Sequence, residues 1–209
     1  MTKDQQLTWL IKPGLFIACL LPLAWMIWLA INHQLGSNPI EALSRRTGDW
    51  TLRFLLITLA ITPLRHLTGW NTLVRLRRML GLYAFFYATL HFINYIGLDQ
   101  GFDINEIVKD VLKHKYVTVG FVAFLMLIPL ALTSTNAMMR RLGGRRWQRL
   151  HKMVYVIGVL GVLHYLWLVK ADLSEPLLYG AILAVLLGYR VWYHRQQRAR
   201  VTPPSRSSQ

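Results

Sequence analysis

Cysteine is almost absent from this chain: Cys19 is the only one. That excludes an intrachain disulfide, a C-x-x-C redox pair, a C-x-x-C-H attachment for covalent haem and a cysteine cage for an iron–sulfur cluster. Any redox chemistry therefore needs a cofactor held without a covalent link. Acidic residues are scarce as well, nine against 24 Lys and Arg, for a net charge of +15. Such a balance invites a nucleic-acid reading, but the bases fall in short segments between long apolar blocks, which is the distribution of a topology signal. No G-x-G-x-x-G follows a strand pattern, and no soluble extension is large enough for a dinucleotide domain. No small-x-small cleavage site follows the first apolar block, Leu15 to Ile31, so it is predicted to be a retained span.

What the chain does have is apolar sequence, 54% of its residues, gathered in blocks. The blocks predict an all-α integral membrane protein of six transmembrane helices at about 13–31, 50–67, 76–98, 116–133, 150–169 and 176–193. The second is short and interrupted by Arg53 and Pro63, and Ser174-Glu175-Pro176 marks the start of the sixth. The segments 32–49, 99–115 and 170–175 hold eight of the nine acids, whereas the N-terminus, the alternate loops and the C-terminal tail hold one acid and seventeen bases. The positive-inside rule places both termini in the cytoplasm and the acidic loops outside. The basic, Ser- and Pro-rich tail, 196–209, is predicted to be disordered.

Ionisable groups inside the hydrocarbon are costly and are read first as functional. His91 falls in the outer half of the third helix, His164 in the outer half of the fifth, and His151 at the fifth helix's cytoplasmic entrance. At a rise of about 1.5 Å per residue, the step from His151 to His164 spans roughly 20 Å. Counting back from His91 by a similar distance reaches Arg77 on the same face of the third helix. His91 thus pairs in depth with His164, and Arg77 with His151. A neutral imidazole from each of two facing helices is the axial arrangement for a b-type haem in a bundle core. A single intramembrane histidine is more often an interhelical hydrogen-bond partner, and the match in depth is what favours ligands. His151 also suits a solvated entrance, and Arg77 suits a topology anchor or a counter-charge to a haem propionate. On an ideal helix His151 and His164 point about 140° apart, a mismatch that Gly158, Gly161 or a π-bulge would have to absorb. His33, His66, His114 and His194 sit in loops or at helix ends. Trp25, Trp28, Trp50, Trp70, Trp147, Trp167 and Trp192 read as an interfacial belt. Asn94, one turn beyond His91, reads as a partner within its own helix or a support for the ligand.

The run ALTSTNAMMRRLGGRRWQRLHKMVY (131–155), together with RRMLGLYAFFYATLHF (77–92) and HYLW (164–167), resembles the ferric-reductase-like transmembrane family. The resemblance covers about residues 7–195, and residues 1–195 are read as a single domain. It is nearest to the haem-binding subunits of periplasmic protein-methionine-sulfoxide reductase systems. It implies haem b, one or two, between the third and fifth helices, with His91 and His164 as the outer ligand pair and His151 as one inner ligand. Arg77 stands where the second inner histidine is usual. It further implies a Gram-negative inner membrane, a periplasmic molybdopterin reductase as the partner receiving electrons, and quinol or a cytosolic flavin reductase as donor. FMN and a quinone are additional cofactors it suggests, although no flavin motif is present. On this reading the chain is an electron-transfer subunit and not the catalytic one, with lipid and no nucleic acid among its partners. A stand-alone metal reductase or oxidase-like cytochrome, and a non-redox transporter or scaffold, are the alternatives.

Overall fold

The computed structural model describes residues 7–201, and among these every regular element is helical. A π-wound turn, Leu7–Ile11, leads into α1 (Lys12–Ile31); α2 is Pro39–Thr68; and α3, Val74–Ile93, runs on through a π-wound Asn94–Asp99. Then come α4 (Ile104–Lys113), α5 (Lys115–Leu132), the short α6 (Asn136–Leu142) and α7 (Gly144–His151), α8 (Met153–Leu168) and α9 (Ser174–Val201). Five segments are long and apolar enough to cross a membrane: Trp9–Ile31, Asn71–Asp99, Lys115–Leu132, Gly144–Leu168 and Ser174–Gln197.

The span predicted at 50–67 is the exception in two ways. The helix begins eleven residues earlier, at Pro39, and it is not among the five. Asn38 explains the early start: its side chain accepts from the Glu41 N–H at 3.2 Å, with Pro39 in the first-turn position that needs no donor. Packing explains the modest hydropathy. Leu52, Leu55, Leu56, Leu59 and Ile61 are all buried, so the middle of α2 is largely covered by its neighbouring helices, with Ile57 left exposed. It packs along α3 and also touches α1, α8 and α9, while α5 packs along α8. Gly69, at φ 71°, ends α2 in the left-handed conformation, its N–H returning to Arg65 O at 2.9 Å.

Two further expectations change. The segment 99–115 contains α4, capped by Asp103, whose carboxylate accepts from the Asn105 and Glu106 N–H groups. The helix α9 continues through Val201 into the tail expected to be disordered; Gln196, Gln197, Arg198 and Ala199 are good helix formers, and the first breaker is Pro203. Residues 202–209 lie outside those described. The start of α9 falls at Ser174 as predicted, with the Asp172 carboxylate accepting from its N–H at 2.9 Å and held below its ordinary pKa by that partner.

The first helix is tied to α3 by two tyrosines. Tyr83 donates to Phe16 O at 2.9 Å; Tyr87, 0% exposed, donates to Cys19 O at 2.9 Å and accepts from Leu23 N–H at 3.1 Å. The Tyr87 hydroxyl therefore inserts into one i→i−4 rung of α1, beside Pro22, where the ladder is already broken.

Candidate cofactor site

Helix α3 carries His91 and α8 carries His164, both toward the end of the bundle where α2, α5 and α9 begin. The structure brings their rings together: centroids 6.1 Å apart, planes at 79°. Each Nδ1 is engaged by a helix carbonyl, His91 with Ser44 O of α2 at 2.9 Å and His164 with Tyr116 O of α5 at 2.7 Å. A carbonyl only accepts, so both Nδ1 atoms carry the proton and both Nε2 lone pairs are left available.

The same local device serves both contacts. Ser44 is four residues before Gly48, and Tyr116 four before Gly120. A helix side chain leans back over the preceding turn and shields the carbonyl four residues earlier, so a glycine lays that carbonyl open. A Cβ on Gly48 would meet His91 Cε1 at 3.3 Å; one on Gly120 would meet His164 Nδ1 at 2.6 Å. The rings thus lie against bare backbone.

These features fit a shared metal centre. Two imidazoles that shared one ion, each nitrogen about 2 Å from it, would have ring centroids up to about 6 Å apart. Histidine ligands characteristically donate their second N–H to a backbone carbonyl or carboxylate, which fixes tautomer and orientation. Among the described residues no cluster of three or more His, Cys, Asp or Glu could hold a bare metal ion. A metal brought by a macrocycle that supplies its own equatorial ligands needs only the two imidazoles.

At the other end of the bundle, His151 closes α7. Its Nδ1 contacts Trp147 O at 3.1 Å, its ring stacks on Trp147 with centroids 3.9 Å apart, and its Nε2 is buried without a partner. Arg77 is near enough for its charge to act on this imidazole. Between α7 and α8 the winding is interrupted at Lys152, whose N–H is shared between Gln148 O at 3.2 Å and Arg149 O at 3.3 Å, while Tyr155 N–H reaches Lys152 O at 3.1 Å; Gly158 and Gly161 lie within α8.

Several residues escaped the sequence reading. Ser44, Gly48, Tyr116 and Gly120 act through backbone, and no side-chain signal marks them. The Asn94 side chain is buried and bonds neither within its own helix nor to the His91 ring. It donates across to Ile40 O and Ser44 Oγ, holding the turn of α2 that orients His91. Two tryptophans leave the predicted belt: Trp50 lies under the Arg53 guanidinium at 5.0 Å, and Trp147 donates to Thr133 O at 2.9 Å. Each is drawn inward by a specific polar partner. Trp25, Trp28, Trp70, Trp167 and Trp192 remain about half exposed. His114 pairs with Asp110 at 2.6 Å, and His66 stacks on Tyr193 at 4.0 Å, so these two are absorbed by local structure.

Apolar helices of spanning length, with a histidine pair brought together between two of them, define a multi-pass helical membrane protein. Residues 47–162 match the family described as "Ferric reductase like transmembrane component". Curated relatives include a protein of Herminiimonas arsenicoxydans, 58% identical over 93% of this chain and 90% of its own length. Others are from Rhodospirillum rubrum, 56% identical over 85% of this chain and 86% of that one, and Ralstonia nicotianae, 54% identical over 88% and 85%. Each of these relatives is named protein-methionine-sulfoxide reductase heme-binding subunit MsrQ. The chain belongs to the ferric-reductase-like transmembrane family and, within it, to the MsrQ group.

Proposed function

We propose that this chain is the membrane electron-transfer subunit of a methionine-sulfoxide reductase system, with haem b held between α3 and α8 by His91 and His164. The observation that carries the reading is the 6.1 Å imidazole pair with both Nδ1 atoms pinned and both Nε2 atoms available. The relatives' shared name, which includes haem binding, supports it. The charge pattern supports six crossings with α2 as the sixth, both termini cytoplasmic in a Gram-negative inner membrane, and the His91–His164 pair toward the periplasm.

Haem, when bound, supplies one-electron chemistry. The chain's own residues do the rest. His91 and His164 hold the iron, Ser44 and Tyr116 carbonyls orient the rings and raise their basicity, and the packed helices exclude water. At the inner level His151 offers the unpartnered Nε2 as a ligand, and Arg77 offers positive charge. With haem bound, electrons would enter there from quinol or a cytosolic flavin reductase and leave at the outer level for a periplasmic molybdopterin methionine-sulfoxide reductase. FMN has no motif to hold it and adds nothing to this reading.

A redox titration of the pure protein, followed in the reduced visible spectrum, tests the assignment. His91→Ala and His164→Ala should each abolish the outer low-spin centre, whereas Arg77→Ala should at most weaken the inner one. An unchanged spectrum in all three rejects the ligand assignment.

A further inference from the structure

Helix α4 presents three different sides. Ile104, Val108 and Leu112 are 73%, 50% and 80% exposed. Spaced four residues apart, each about 40° around the helix from the last, they form a single apolar stripe. Ile107, Asp110 and Val111 lie toward the bundle and are partly buried. Asp110 fastens that side: its carboxylate accepts from the Tyr95 hydroxyl at 2.7 Å and meets His114 Nδ1 at 2.6 Å. Asn105, Lys109 and Lys113 form the exposed polar side, with Lys109 Nζ 2.6 Å from Glu106 Oε1. The stripe thus faces sideways, about 100° from both the bundle side and the polar side.

Chain length fixes the height of this helix. The 18 residues of α5, Lys115–Leu132, rise about 27 Å against a hydrocarbon core about 30 Å thick, so Lys115 stands at the edge of that core. Only His114 separates α5 from α4, and Leu112, three residues from Lys115, is at most about 11 Å from that edge. At the other end, residues 100–103 tie α4 to the π-wound end of α3. Phe102, in this connection, holds φ 61°, a strained conformation for an aromatic residue. Its ring lies against Gly97, where a Cβ would meet it at 3.0 Å, and it is still 68% exposed. In water the exposed ring would add to the strain, whereas in lipid its burial offsets it. Charge gives a soluble partner little to recognise, since the two acids of α4 are balanced by its two lysines.

We propose that α4 is an interfacial helix, with the Ile104–Val108–Leu112 stripe seated in the acyl chains of the surrounding leaflet and Lys109 and Lys113 reaching up to the phosphates. The seat anchors the start of α5, where Tyr116 O meets the His164 ring. It depends on the chain crossing a membrane and not on haem.

The test uses the full chain with the buried Cys19 replaced by alanine and one new cysteine, Val108→Cys, Leu112→Cys or Lys109→Cys, carrying a nitroxide. Each is reconstituted in vesicles of phosphatidylethanolamine and phosphatidylglycerol, and relaxation by oxygen and by a water-soluble nickel chelate is read by EPR. Labels at 108 and 112 should be open to oxygen and shielded from nickel, at a depth of about 5–10 Å below the phosphates, and the label at 109 should show the reverse. The depth should be the same in high salt, because an apolar seat is not screened. Labels at all three positions open to nickel would leave the stripe in water, free for a soluble partner, and overturn the proposal. Labels at 108 and 112 shielded from both reagents would mean that a second copy of the chain covers the stripe, which overturns it equally. Release of the helix by salt would show attachment by charge and reject the apolar seat.

Discussion

Substitution of Gly120 by alanine separates the ligand geometry from the stability of the bundle. The new Cβ would stand 2.6 Å from His164 Nδ1, 2.8 Å from Cε1 and 3.2 Å from Cγ. Carbon contacts are comfortable at about 3.5–4.0 Å, so the ring must retreat by about 1 Å. The 2.7 Å contact between Nδ1 and Tyr116 O does not survive such a shift. Loss of the outer-shell partner of a histidine ligand typically costs about 10- to 100-fold in metal affinity, or about 1.4–2.7 kcal/mol. Helix propensity acts in the opposite direction, since alanine is favoured over glycine by about 1 kcal/mol in a helix interior. Gly120→Ala should therefore keep or raise the thermal stability of the cofactor-free protein while lowering haem occupancy and shifting the low-spin EPR signal. Gly48→Ala, whose closest contact would be 3.3 Å, should show a weaker form of the same effect. Gly161→Ala, on α8 itself and meeting only Leu52 Cδ1 at 3.6 Å, is the control and should retain the cofactor. Full occupancy with an unchanged EPR spectrum in Gly120→Ala would refute the argument that the glycine opens the orienting carbonyl.

Two further outcomes are expected. Tyr87→Phe removes the hydroxyl that bridges Cys19 O and Leu23 N–H, and should lower thermal stability in detergent by about 1 kcal/mol without altering the cofactor spectrum. Asn94→Ala deletes donors to Ile40 O and Ser44 Oγ but also removes the buried, unpartnered Oδ1, so the net loss should be about 1 kcal/mol. Hydrogen exchange should rise in the first turns of α2, around Ser44, and the readout at His91 should broaden while that at His164 does not.

The sequence by itself determined the class of the molecule. Hydrophobic runs of membrane length mark spanning helices, and five of them are helices long and apolar enough to cross a membrane. It also brought His91 and His164 to one level by counting residues, because helical rise is constant, and their ring centroids stand 6.1 Å apart in the fold. What it could not reach was anything carried by backbone or by a neighbour distant in sequence. The orienting carbonyls of Ser44 and Tyr116 look like any others until Gly48 and Gly120 are seen facing imidazoles from α3 and α8. Arg190 is indistinguishable in sequence from the arginines that follow it, and only the packing of α9 against α2 and α8 buries its charge. The covering of α2 is of the same kind. Its charged residues weaken its apolar signal, and tertiary packing makes that signal unnecessary, since a helix largely covered by protein answers more to its neighbours than to lipid.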